Sequence, residues 1–183
     1  MKKAPVVILN GFLGSGKTTL FRSLLAQSYK KNLSVCAIVN DMSELDVDGE
    51  LIASSTMVER DAKIMKSISS HVLSSNKGLE KLDESINDLL VHKTPELIII
   101  ETSGSCHPMP LIKYFKEHPR VNLTGVLVLV DSLMISHDYD NGHLLIPNLQ
   151  ENMSRSKRGT INLLIEQILF CSHLILTKSD RIN

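Results

Sequence analysis

Eight residues near the N-terminus, Gly11-Phe-Leu-Gly14-Ser15-Gly16-Lys17-Thr18, have the types and spacing of a phosphate cradle. The glycines let backbone N–H groups close around phosphate oxygens. An apolar run, Val6 to Leu9, precedes them, and Leu20, Leu24 and Leu25 follow at helical spacing, so the cradle falls where a strand ends and a helix begins. The helix N-terminus then adds positive potential at the anion. Lys17 can reach β and γ phosphates, Thr18 offers a hydroxyl to Mg²⁺, and Thr19 completes the nucleotide-binding stretch. A glycine-rich turn with a surface lysine is the plain alternative, and the strand–loop–helix context weighs against it.

Three further clusters extend the chemistry. Thr177-Lys178-Ser179-Asp180 follows the apolar run Leu174 to Leu176. There the Asp180 carboxylate can accept from guanine N1–H and its exocyclic amine, while the Lys178 stem covers the base; an acceptor left unpaired by adenine gives discrimination. Glu101-Thr102-Ser103-Gly104 follows Leu97 to Ile100. Glu101 at this tip can hold Mg²⁺ or orient attacking water, and Gly104 lets a backbone N–H meet the γ-phosphate. Asn40-Asp41, with Glu44, Asp46 and Asp48, suits either a hard cation, with Asp41 the best ligand, or an ordinary solvated acidic loop. The expected catalytic set is therefore Lys17, Glu101 and Asp41, with Thr18, Asp41 and Glu101 around Mg²⁺.

These positions need a scaffold that brings strand ends together. The apolar runs Val6 to Leu9, Val35 to Val39, Leu97 to Ile100, Val126 to Val130 and Leu174 to Leu176 look like strands covered on both faces. Leu79, Leu82, Ile86, Leu89 and Leu90, then Ile161, Leu164, Ile165, Ile168 and Leu169, repeat with helical period. Their alternation predicts an α/β fold, a doubly wound and mainly parallel sheet with helices on both faces and ligands at the strand carboxyl ends. The segment 46–76 and the polar loop 136–159 resist this reading, and long loops in compact domains are usually functional or mobile.

With 183 residues, 43% hydrophobic and no Trp, the chain suits one domain with a Leu, Ile and Val core. Twenty basic residues balance twenty acidic ones, so no net field favours nucleic acid or an anionic membrane. The one basic run, Arg155-Ser-Lys157-Arg158, reads as a solvated loop, and no apolar stretch is long enough to span a bilayer. Three cysteines are too few and odd for a disulfide framework, which favours a reducing cytoplasm.

Taken together, the motifs resemble the CobW-like branch of P-loop GTPases, related to UreG and HypB. The matching stretches are 11–19, Val39-Asn-Asp-Met-Ser-Glu44, Ile100-Glu-Thr-Ser-Gly104 with Pro108, Gln167-Ile168, and Leu176-Thr-Lys-Ser-Asp180. The resemblance implies GTP and Mg²⁺ binding, slow hydrolysis, and delivery of a transition metal such as zinc or cobalt to a metalloprotein client. A client protein and a second copy of the chain are the candidate partners besides GTP.

Three departures qualify what the resemblance implies. The family's Cys-x-Cys-Cys metal motif corresponds to Ser67-Ile68-Ser69-Ser70, and hydroxyls lack the charged, soft character of thiolates. After Glu-Thr-Ser-Gly, where the family generally has a small apolar pair and an acid before proline, stand Ser105-Cys106-His107-Pro108; Cys106 and His107 could ligate a transition metal, with His71 or Asp41 as further candidates, or be a chance occurrence in a loop. The chain also stops three residues past Asp180, so residues 1–183 are expected to form the GTPase domain without the family's C-terminal domain. Two other functions fit the motifs: a nucleotide-dependent switch or scaffold without turnover, and a small-molecule phosphotransferase.

Overall fold

The computed structural model describes residues 3–40, 65–91, 94–154 and 160–182. Asp41 and the acidic loop around it, and the basic run 155–158, lie outside the described residues. Six parallel strands form one sheet: β1 (Ala4–Asn10), β2 (Val35–Asn40), β3 (Met65–Ile68), β4 (Leu97–Glu101), β5 (Val121–Asp131) and β6 (His173–Thr177). Their order across the sheet is β3-β2-β4-β1-β5-β6. The connecting helices are α1 (Lys17–Lys30), α2 (Asn76–Leu89), α3 (Pro108–Glu117), α4 (Ser132–Asp138), α5 (Leu145–Ser154) and α6 (Thr160–Leu169).

The side-chain alternation of a strand explains why the apolar runs are continuous. In β4, Ile98 and Ile100 face a core shared with Leu82 and Ile86 of α2, Leu111 and Phe115 of α3 and Leu164 of α6. Ile99 faces the other way, with Leu9 and Ala37, onto Phe21 of α1. Both faces of β4 are therefore dry, and the fold is the doubly wound α/β sheet expected from the sequence; the expectation of two covered faces fails at edge strand β6, where Leu174 and Leu176 are exposed. Because every strand runs the same way, the segments after β1, β4, β5 and β6 emerge at one edge of the sheet.

Two further expectations need correction. Residues 136–159 are not simply a polar loop, since α5 occupies Leu145–Ser154. Pro147 lies in the first turn of that helix, where no N–H has to be donated, so a residue that reads as a breaker is compatible with the start. The segment 46–76 holds β3, a strand of four residues in which Ile68 alone is buried. Four residues at a sheet edge leave no period to detect.

At the opposite end of the sheet, His118 is buried and its Nδ1 accepts from the N–H groups of Arg120 and Val121, both at 3.2 Å. Burial lowers its pKa, with the Asp83 carboxylate 3.4 Å from Nε2 partly offsetting this. The folded state thus binds the proton more weakly than the unfolded chain. Stability contributed by neutral His118 is present above the ordinary value of about 6.5 and declines as pH falls below it. Urea midpoints measured from pH 7 to pH 5 should fall for the wild-type chain, and fall less for His118→Asn, which retains an acceptor without titrating.

Candidate nucleotide site

The loop between β1 and α1 is held open by three left-handed glycines, Gly11 at φ 136°, Gly14 at 77° and Gly16 at 91°. A Cβ at Gly11 would lie 2.2 Å from the Leu129 carbonyl oxygen, so a side chain there would push the loop off β5. Gly16 caps α1 without a side-chain acceptor, and the first turn of the helix holds no acidic residue. The N–H groups at that end are thus suited to an anion. Ser15 Oγ is buried with no hydrogen-bond partner among the described residues, a second polar group that a phosphate oxygen would satisfy.

Lys17 is buried, and its Nζ donates to the carbonyls of Gly11 and Phe12, both at 2.8 Å. Burial lowers its pKa while Glu101 pulls it back up. Thr18 Oγ1 donates to Glu101 Oε1 at 2.5 Å. A hydroxyl and a carboxylate converge there from residues 83 apart in sequence. These are the hard oxygen donors that Mg²⁺ takes, so the residues present fit that ion. Thr19 is exposed at the same helix start.

The segment after β4 rests on this loop. Thr102 donates to the Leu9 carbonyl from both its N–H and its hydroxyl, each at 3.1 Å. A Cβ on Gly104 would lie 2.7 Å from Leu13 N, so glycine is what permits the two backbones to touch. Cys106 is fully buried, and burial pushes its thiol up to about 11, which keeps it protonated at neutral pH. His107 is half exposed and its Nδ1 pairs with Glu166 Oε2 at 2.7 Å.

The turn after β6 joins the same edge. Thr177 Oγ1 lies 3.0 Å from the Ser15 carbonyl oxygen and 3.3 Å from that of Val130, and donates towards both, tying the turn to the phosphate loop. Lys178 adopts a left-handed conformation at φ 55°, and its Nζ donates to Asp131 Oδ2 at 2.5 Å. That hydrogen bond is the main reason the Asp131 carboxyl lies below the usual range. Asp180 is exposed within a short 3₁₀ turn, Ser179–Arg181.

The structure thus brings Gly11, Gly14, Ser15, Gly16, Lys17, Thr18, Glu101, Gly104 and Thr177 to one locale, with Lys178 and Asp180 on the adjoining turn. Among the described residues no group of three or more His, Cys, Asp or Glu is placed to hold a metal ion. Ser67, Ser69 and Ser70 are exposed at the end of edge strand β3. Sequence reading missed Asn10 and Asp131 as site residues and gave Gln167 no role. Asn10 and Asp131 carried a signal, being polar residues that directly follow the apolar runs Val6 to Leu9 and Val126 to Val130.

Residues 5–183 match the family model described as CobW/HypB/UreG, nucleotide-binding domain. The chain belongs to this family. Among curated relatives, zinc-regulated GTPase metalloprotein activator 1 of Dictyostelium discoideum is 29% identical over 199 residues, covering 100% of this chain and 41% of that protein. Zinc chaperone YjiA of Escherichia coli (strain K12) is 32% identical over 142 residues, covering 73% of this chain and 42% of that protein. The chain spans less than half the length of these two relatives. A crystal structure of FlhF complexed with GMPPNP/Mg(2+) superposes with a TM-score of 0.50 at 13% identity, covering 100% of this chain and 58% of that one, which is a likeness of fold. No helix among the described residues is long and apolar enough to cross a membrane.

Proposed function

We propose that this domain binds GTP with Mg²⁺, hydrolyses it slowly and couples the nucleotide to delivery of a transition metal, zinc foremost, to a metalloprotein client. The observation that carries the nucleotide reading is the meeting of Thr18 with Glu101 at the uncapped start of α1, beside the buried Lys17 ammonium. Bound Mg²⁺ would supply charge neutralisation at the β and γ phosphates, held by Thr18 and Glu101. Lys17 and the α1 N–H groups would orient the phosphates, and Glu101 would accept hydrogen bonds from water on that side. Guanine selection falls to Asp180, supported by the Thr177 bond to Ser15, which links the base-reading turn to the phosphate loop.

The metal role is supported by the names of the relatives, zinc-regulated GTPase metalloprotein activator and zinc chaperone. One observation favours a second reading, a GTP-dependent switch that holds no metal of its own. Ser67, Ser69 and Ser70 present exposed hydroxyls in the stretch that corresponds to the family's thiols. The three free cysteines, Cys36, Cys106 and Cys171, fit a cytoplasmic setting for either reading.

Calorimetric titration with GTP and ATP in Mg²⁺, with and without Zn²⁺, combined with phosphate release, tests the reading. Tight GTP binding with slow turnover and an affinity that changes with zinc is the expected result. No GTP binding would overturn the nucleotide role, and binding indifferent to zinc would leave the switch.

A further inference from the structure

Gln167 is fully buried on α6, and its side-chain amide reaches two different loops at once. Nε2 donates to Asn10 Oδ1 at 3.1 Å, to the Cys106 carbonyl at 3.2 Å and to the Gly104 carbonyl at 3.4 Å. Asn10 lies at the root of the phosphate loop. Its Oδ1 also accepts from Gly11 N at 2.7 Å, and its Nδ2 donates to the Cys106 carbonyl at 3.2 Å. Gly104 and Cys106 belong to the segment resting on that loop. The preceding residue of the same helix, Glu166, holds His107 at 2.7 Å. Consecutive side chains of α6 therefore grip the 104–107 segment from below, and Gln167 fixes it against Asn10.

A purely space-filling role does not account for this side chain. Gln167 Oε1 is buried without a hydrogen-bond partner among the described residues. An unsatisfied buried acceptor carries a desolvation cost that an apolar residue of the same size would avoid. What the amide contributes is a defined distance between two backbone segments, one that carries the cradle and one whose glycine touches it at Leu13 N.

We propose that Gln167 is a positioning residue: it sets Gly104 relative to the phosphate loop, and so makes the site distinguish a γ-phosphate from its absence. This rests on the GTP reading above. A diphosphate is gripped by the cradle, Lys17 and the Thr177–Asp180 turn, none of which Gln167 touches directly. On that reading the terminal phosphate of a triphosphate would reach the Gly104 segment, which abuts the cradle at Leu13 N, and a diphosphate would not, so triphosphate affinity alone depends on where that segment sits.

The test compares GMPPNP and GDP binding by the full chain in Mg²⁺ for wild type and Gln167→Met, which keeps length and volume but removes the donors. The triphosphate-to-diphosphate affinity ratio should fall about tenfold, within the usual range for coupling between sites. GDP affinity should stay within about twofold, a change too small to indicate loss of the site. Equal losses for both nucleotides would mean a merely structural role and overturn the proposal, as would an unchanged ratio. Wild-type protein that binds neither nucleotide overturns the GTP reading and this inference with it; wild-type binding with an unaltered variant ratio overturns this inference alone. If Gln167→Met loses its cooperative thermal transition, Glu166→Ala decides. At the solvent-facing end of the grip, it should lower the same ratio, and no change in it overturns the proposal.

Discussion

Lys17→Met is expected to reduce GTP affinity by a factor on the order of 10² to 10⁴. Hydrogen bonds to a charged group contribute about 1.5–3 kcal/mol each, and an ammonium facing two phosphate groups makes at least two. The ammonium is already desolvated: Lys17 is 7% exposed and held at 2.8 Å by the Gly11 and Phe12 carbonyls. It therefore meets a phosphate in a low-dielectric setting, where the attraction exceeds its strength in water. Methionine retains the stem that packs against the loop, so unfolding free energy should change by no more than about 1 kcal/mol. Calorimetry and thermal denaturation of the same preparation check both halves. GTP binding that survives at wild-type strength would show that the triphosphate is held elsewhere.

The second large effect concerns the base. Asp180→Asn replaces one carboxylate oxygen with an N–H₂ that points its hydrogens at those of guanine. Two charge-assisted hydrogen bonds become one neutral bond and one repulsion, and the GTP-to-ATP preference should fall by about 10²-fold. Asp180 is exposed, so the substitution removes no packing and the fold should be indifferent to it within about 0.5 kcal/mol. Competition between GTP and ATP for the wild-type and variant chains gives the answer. A preference that does not move would assign base selection to another group.

Lys178, whose stem is expected to cover the base, has its far end tied down. Its ammonium is anchored by Asp131, which also caps α4 by accepting from Leu133 N at 2.9 Å. The stem is therefore fixed from its far end. That pairing was invisible in a linear reading, because Asp131 looks like an ordinary helix cap and only the parallel pairing of β5 with β6, which sets Asp131 opposite Thr177, brings the two together.

The same reasoning explains which parts of the molecule were legible beforehand. β1, β2 and β4 are apolar runs covered on both faces and β6 is an apolar run with one face exposed, and in each the run itself marks the strand. The convergence of Thr18 and Glu101 followed from placing the start of the helix after β1 and the end of β4 on one edge of a parallel sheet. α5 and β3 were missed because their cues are local exceptions, a proline tolerated in a first helical turn and a strand with one buried side chain. Gln167 sat in plain view on an apolar helical stripe, yet nothing in its spacing says that it faces two loops. Its role depends on a backbone carbonyl, and carbonyl positions are the last thing a sequence displays.

The hydrogen bonds that complete the site join the two ends of the chain: Gln167 to Asn10 spans 157 positions and Thr177 to Ser15 spans 162. Contacts of such separation form late, because the entropy of closing the intervening loop must be met before they contribute. During synthesis from the N-terminus, the phosphate cradle leaves the ribosome long before the turn that completes it. A growing chain thus carries a cradle but no finished site until β6 has docked beside β5. Ligand that binds only the finished site stabilises the last step of assembly, so the nucleotide proposed above would also act as a checkpoint on folding.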